Sequence, residues 1–285
     1  MKTLVGFIRD PANSGSLIHY LVELSKDLNT NLHLLYVENP ANHMLGTPNM
    51  SGVAIANVQQ SLAANIEEGK KTLKNVVGQM MPQIAGKVVV EITASLGNEV
   101  SIIDEMLASG EIQMMAVENT ASDGFWWKDT LIRDMVRSLE CPVWVLPENA
   151  EYQSYRKIIY ATDYHREDIP TLQKLIDLTH GLSPSILALH ITDNADFEEK
   201  VKTAGFQKML ENKTAYHNIS AKVLIEKKGE ELVRIINSYA ALNKADLIVV
   251  LKENKNFLDR IFHPSAAEKI MEASNYPVLV FHAKS

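Results

Sequence analysis

The chain has 285 residues and a formal net charge of −7, from 28 Lys and Arg against 35 Asp and Glu. That length suggests two domains, each large enough for its own core. With 46% hydrophobic and 22% charged residues the composition is close to the globular average, so disorder is not the default, and the mild acidity gives no whole-molecule attraction for nucleic acid or anionic membrane.

Taken in chain order, short apolar runs alternate with stretches of helical spacing. A strand is predicted at 3–8, then a helix near 14–28 with Leu17, Leu21, Leu24 and Leu28 on one face. Strand 31–37 follows, then a loop holding Pro40 and Pro48, and a helix over about 53–80. The first half continues with strand 87–93, helix 98–109, strand 112–117, helix 129–139 and strand 143–146. The second half reads strand 157–162, helix 168–181, strand 185–191, helix 196–217, strand 221–226, helix 230–243, strand 246–251, helix 264–274 and strand 277–282. Nearly continuous apolar runs such as Leu247-Ile248-Val249-Val250-Leu251 suit strands covered on both faces.

The two halves repeat. Lys2 before the first strand matches Lys157 before its counterpart, 155 positions on, and places Ile8 opposite Asp163. Near each end, Cys141-Pro142-Val143-Trp144-Val145 mirrors Tyr276-Pro277-Val278-Leu279-Val280, with the prolines 135 positions apart. The first copy therefore carries about 20 extra residues in its middle, around 38–86. Domains are expected at 1–147 and 156–285, joined by the polar connector 148–155. Alternating strands and helices predict two tandem doubly wound α/β domains, each a five-stranded, mainly parallel open sheet with helices on both faces. A ligand crevice is expected beyond the carboxyl ends of the strands, where the strand order reverses.

Both copies resemble universal stress protein domains, and the chain resembles a tandem member of that family. The resemblance is carried by Ala245-Asp246-Leu247-Ile248-Val249-Val250, Arg260-Ile261-Phe262, Ser265-Ala266-Ala267-Glu268-Lys269 and Tyr276-Pro277-Val278-Leu279-Val280. A looser match runs through Thr130-Leu131-Ile132-Arg133-Asp134-Met135 and Cys141-Pro142-Val143. Many members of that family bind ATP through an aspartate ending the first strand and a loop G-x2-G-x9-G-[ST]. Glycines there let backbone N–H groups approach phosphates at a helix N-terminus. Here Leu251, Asn254 and Pro264 stand at the glycine positions before Ser265, and Ala116, Asn119 and Asp129 before Thr130. No glycine survives in either copy. Asn can hold a left-handed turn, but Pro264 has no N–H and Asp129 would repel a phosphate. Ser265, Thr130 and Asp129 read equally as helix N-caps.

The first-strand aspartate is kept only in the second copy, as Asp163, where it reads either as a nucleotide ligand or as a turn residue. The resemblance thus implies a nucleotide-binding-like fold with a candidate site at Asp163, Asn254 and Ser265 in the second domain, with His165, Arg166 and Lys255 nearby. It implies a non-enzymatic protein of stress-response signalling or partner binding that lacks ordinary ATP binding and needs no cofactor. The alternative is an adenine-nucleotide module taking ATP or AMP at a rebuilt site, and a third reading is a slow ATPase. The two domains are expected to pair within the chain through their last strands, 143–146 and 278–281, with a homodimer as a further expectation.

Other features carry less. Trp126 and Trp127 either stack a ligand ring or fill space beneath a loop. The loop around Met44 to Gly52 is either a partner-binding element or a solvated loop. The histidines form no HxH or HExxH pattern, so a metal is not expected. The single Cys141 excludes an intramolecular disulfide framework and fits a reducing compartment. No apolar run nears the roughly 18 residues of a membrane span, and the N-terminus lacks a signal-peptide pattern; a cytoplasmic protein without membrane or nucleic-acid partners is expected.

Overall fold

The structure is a computed structural model and describes residues 2–41, 52–84, 88–119, 130–193, 196–225, 232–251 and 276–282. The chain forms two compact units. The first comprises Met1–Glu118, Asp134–Leu139 and Asn149–Tyr152, and the second Asn119–Arg133, Glu140–Glu148 and Gln153–Ser285.

The first unit runs β1 (Thr3–Ile8), a 3-10 turn (Pro11–Asn13), α1 (Gly15–Leu28), β2 (Asn31–Glu38), α2 (Gly52–Ile84), β3 (Val90–Leu96), α3 (Glu99–Ala108) and β4 (Met114–Asn119). Its strands lie in the order β3-β2-β1-β4, every pair parallel. The helix α1 buries Leu17, Leu21, Leu24 and Leu28, the face predicted from spacing, together with Ile18, Tyr20 and Val22. Gly6 permits its close approach to β1: a Cβ there would lie 2.3 Å from Leu21 Cδ1. Asn29 ends the helix in the left-handed conformation, φ 52°, and its N–H donates to the Lys26 carbonyl.

Much of the extra length of the first copy lies in α2, 33 residues against 18 in the matching helix of the second unit. This helix buries Leu62, Leu73 and Val77. Gly69 on it faces the Tyr36 ring, where an added Cβ would come within 2.5 Å of Cε1. At α3, Asn98 is an extended N-cap whose Oδ1 accepts from the Ser101 N–H at 3.0 Å. Asn98→Ala is expected to lower stability by about 1 kcal/mol in urea denaturation, with Asn98→Ser restoring most of it.

The helix α4 (Thr130–Ser138) leads to the second unit, which runs β5 (Val143–Pro147), β6 (Lys157–Ala161), α5 (Asp168–Leu178), a 3-10 turn (His180–Leu182), β7 (Ser185–Thr192), α6 (Phe197–Thr214), β8 (Ile219–Ile225), α7 (Leu232–Asn243), β9 (Leu247–Leu251) and β10 (Val278–Phe281). The strand order is β5-β10-β9-β6-β7-β8. All pairs are parallel except β5 with β10, which run antiparallel with Val278 opposite Val145 and Val280 opposite Val143. The predicted run 247–251 is β9, and all five of its residues are buried. The expected helix 264–274 lies outside the described residues.

Several boundaries differ from the sequence reading: β8 begins at Ile219 rather than 221, α5 ends at Leu178 rather than 181, and α6 ends at Thr214 rather than 217. β3 begins at Val90 rather than 87 and β4 at Met114 rather than 112. Val88 and Ile112 are buried, so the apolar signal starts early, but pairing with β2 begins only at Leu32 opposite Val90. The connector is anchored on α1 of the first unit. Tyr152 donates its hydroxyl to Asp27 Oδ2 at 2.6 Å and packs edge-on against Tyr20 at 5.1 Å. Burial, then that bond and the nearby carboxylate charge, push the Tyr152 phenol far above its usual range, so it stays a donor.

Candidate functional site

In each unit the strand order reverses beside the first strand, between β1 and β4 and between β6 and β9. Backbone ladders show which residues occupy equivalent places there. The Asn31 N–H donates to the Lys2 carbonyl and the Ser185 N–H to that of Arg156; likewise Gln113 donates to Thr3 and Asp246 to Lys157. Lys2 is therefore equivalent to Arg156, and Asp163 to Arg9 rather than to Ile8. The expected match of Ile8 with Asp163 is one residue out, because Lys157 takes the ladder place of Thr3 and not that of Lys2. A one-residue slip reverses every side chain across a sheet. Ile8, fully buried, corresponds to buried Thr162.

The loop after β6 is a knot of hydrogen bonds. Asp168, 1% exposed, accepts from the Tyr160 hydroxyl (2.8 Å), the Thr162 hydroxyl (2.6 Å) and the His165 N–H (2.8 Å). Thr162 Oγ1 also accepts from the Tyr164 N–H at 2.9 Å. Burial pushes the Asp168 carboxyl up, and its three hydrogen bonds oppose that shift. Within the knot Tyr164 takes φ 60°, a costly conformation for a side chain of its size. Its hydroxyl donates to Thr203 Oγ1 at 2.6 Å, since Thr203 gives its own proton to the Glu199 carbonyl.

Asp163 thus sits at the carboxyl end of β6, as expected, but faces protein. His190 Nδ1 on β7 lies 3.4 Å from Asp163 Oδ1 and 2.8 Å from the Thr162 carbonyl. His190 Nε2 lies 3.5 Å from Glu199 Oε2 on α6. The Tyr164 ring covers the imidazole at 4.5 Å between centroids and meets Phe206 at 5.2 Å. Asp163 is one quarter exposed. Nothing in the sequence groups His190, Glu199, Tyr164 and Thr203 with Asp163, since they come from three elements and match no spacing motif.

The other candidates fare differently. Asn254 and Ser265 lie outside the described residues, as do Lys255, Pro264, Asp129, Trp126, Trp127 and residues 44–51. At the first glycine position of each copy the replacement is a strand residue: Leu251 is 2% exposed and pairs with Phe281, and Ala116 is fully buried opposite Gly6. Asn119 is buried at the end of β4. In the first unit Asp10 is used locally, accepting from the Ala12 N–H at 2.9 Å and Asn13 Nδ2 at 2.7 Å. Among the described residues no group of three or more His, Cys, Asp or Glu is placed to hold a metal ion, and no helix is long and apolar enough to cross a membrane.

Parallel strands in the order 3-2-1-4, with the order reversing beside the first strand, define a doubly wound α/β protein. Residues 154–282 match the model of the universal stress protein family. A universal stress protein from Archaeoglobus fulgidus DSM 4304 shares the fold at TM-score 0.63 and 13% identity, over 99% of this chain and 98% of that one. A protein of unknown function from Pseudomonas aeruginosa PAO1 matches at TM-score 0.57 and 15% identity, over 100% and 93%. The cytoplasmic domain of a prokaryotic cation chloride cotransporter matches at TM-score 0.56 and 14% identity, over 100% and 96%. At these identities the likeness speaks for the fold of the whole chain and not for activity. No curated protein matches the sequence.

Proposed function

We infer that this is a stress-response protein that acts through partner binding or signalling, without chemistry of its own and without ordinary ATP binding. The observation that supports this most is the engagement of Asp163. Its carboxylate is held beside His190 under the Tyr164 ring, in a loop fastened by Asp168. An adenine nucleotide would have to displace these contacts. The phosphate loop is also rebuilt: Leu251 and Ala116, where glycines would let backbone approach a phosphate, are buried strand residues. The partner would be another protein, a second copy of this chain among the candidates, and the reading places the protein in the cytoplasm.

The competing reading is an adenine-nucleotide module using Asp163, Asn254 and Ser265. Calorimetric titration of the full chain with ATP, ADP and AMP, with and without magnesium, separates the two. The expected result is no binding tighter than about 100 μM, roughly 5.5 kcal/mol. A tighter complex that disappears in Asp163→Ala would establish the module instead.

A further inference from the structure

We propose that His190 is a proton-operated latch of the second unit: while its ring is charged it joins the loop Thr162–Asp168 to the first turn of α6, and it releases them when the ring loses its Nε2 proton. This device stands apart from nucleotide binding and needs no ligand.

The argument rests on which atoms face the ring. A carbonyl oxygen only accepts, so Nδ1, 2.8 Å from the Thr162 carbonyl, carries a proton in either charge state. Charge is therefore decided at Nε2. That nitrogen faces Glu199 Oε2 at 3.5 Å, an oxygen buried without a hydrogen bond. With a proton on Nε2 the pair is an attraction between opposite charges. Without it, a nitrogen lone pair confronts a buried carboxylate oxygen, and only the Lys202 bond to Oε1 remains to offset the burial.

The two carboxylates belong to different elements, Asp163 to the loop after β6 and Glu199 to the first turn of α6, so the charged ring fastens one to the other. The surrounding charges favour the same state. On α6, Lys202 takes Glu199 Oε1 at 2.9 Å and Glu198 at 3.0 Å, which leaves Glu199 Oε2 to the histidine. On the β6 side Asp163 and Asp168 are acidic and Tyr164 stacks a neutral phenol on the ring. On β8 the residue opposite His190 is Val223, and the adjacent Lys222 turns its Nζ to the Tyr239 ring.

Burial alone would lower the His190 pKa, but the Asp163 and Thr162 hydrogen bonds and the charges of Asp163 and Glu199 outweigh it and raise it above 6.5. A folded value above the unfolded one contributes stability that is complete below about pH 6.5 and fades as pH rises through the folded value. His33 on β2 is the reverse case, since burial there outweighs Glu91 and Glu111 and lowers its pKa.

The test is made on the full chain. Nitrogen-15 spectra of the histidine rings, assigned by the signal lost in His190→Gln, should show His190 protonated on both nitrogens at about pH 6 and titrating above its unfolded value. Hydrogen exchange, corrected for intrinsic rates, should show amides of the Thr162–Asp168 loop and the first turn of α6 losing protection severalfold between about pH 6 and pH 8.5. In His190→Gln the same amides should stay at the low level throughout. Should that variant fail to fold, Glu199→Gln serves, with the His190 titration expected to move to lower pH. A singly protonated His190 ring at pH 6, or protection that is the same at both pH values in the unmodified chain, would overturn the latch.

Discussion

Replacing Trp144 with alanine is expected to cost about 3–5 kcal/mol, among the largest single losses available in the second unit. The side chain is fully buried, on the β5 strand, opposite Leu279 in the only antiparallel ladder among the described pairs of that unit. Its neighbours Val143 and Val145 are buried as well, so the strand has no spare apolar surface with which to close the cavity. Its indole Nε1 is buried without a hydrogen-bond partner, so the ring contributes as hydrocarbon and not as donor. Trp144→Phe should consequently lose much less, about 1.5 kcal/mol or under, having removed an unsatisfied N–H along with some volume. Urea denaturation of the two variants checks this, and equal losses would show that the indole N–H matters more than its packing.

The second large effect is expected at Asp168. Asp168→Ala removes the common acceptor of a hydroxyl from Tyr160, a hydroxyl from Thr162 and the His165 N–H, and leaves three donors in a site that is 1% exposed. Roughly 3–4 kcal/mol should be lost, since stranded buried donors cost more than the bonds themselves are worth. Asp168→Asn keeps one acceptor oxygen and should recover part of that. Hydrogen exchange should localise the damage to the loop after β6, which holds Tyr164 in its strained conformation. Uniform loss across the unit, with the loop no worse than the rest, would argue against the knot as a local organiser.

How far the sequence could be read depended on the range of the interactions involved. Periodicity located the elements because burial of α1 through Leu17, Leu21, Leu24 and Leu28, or of β9 through 247–251, is a property of contiguous residues. Starts of β3 and β4 were misplaced because Val88 and Ile112 are buried ahead of the strands proper. The repeat is legible from the like residues at the two ends of each half, but at the first strand only ladder partners fix the match to the residue. Asp163 was legible as a polar residue ending a strand. His190 and Glu199, 27 and 36 positions further along, were not, since nothing in their own neighbourhoods marks them. Tyr164 is harder still, as a bulky residue is a poor sequence marker for positive φ.

One consequence follows from the place of β5. The strand belongs to the first repeat by sequence, yet the second compact unit claims it, through Val143, Trp144 and Val145. The seam of the duplication and the seam of the folded object therefore differ. A fragment cut at the repeat boundary and beginning at 156 would keep a family-matching sequence but present β10 as a bare sheet edge, with Leu279 stripped of its cover. Such edges recruit whatever strand is at hand. In this chain the final strand of the first copy lies beside the final strand of the second, inside one compact unit.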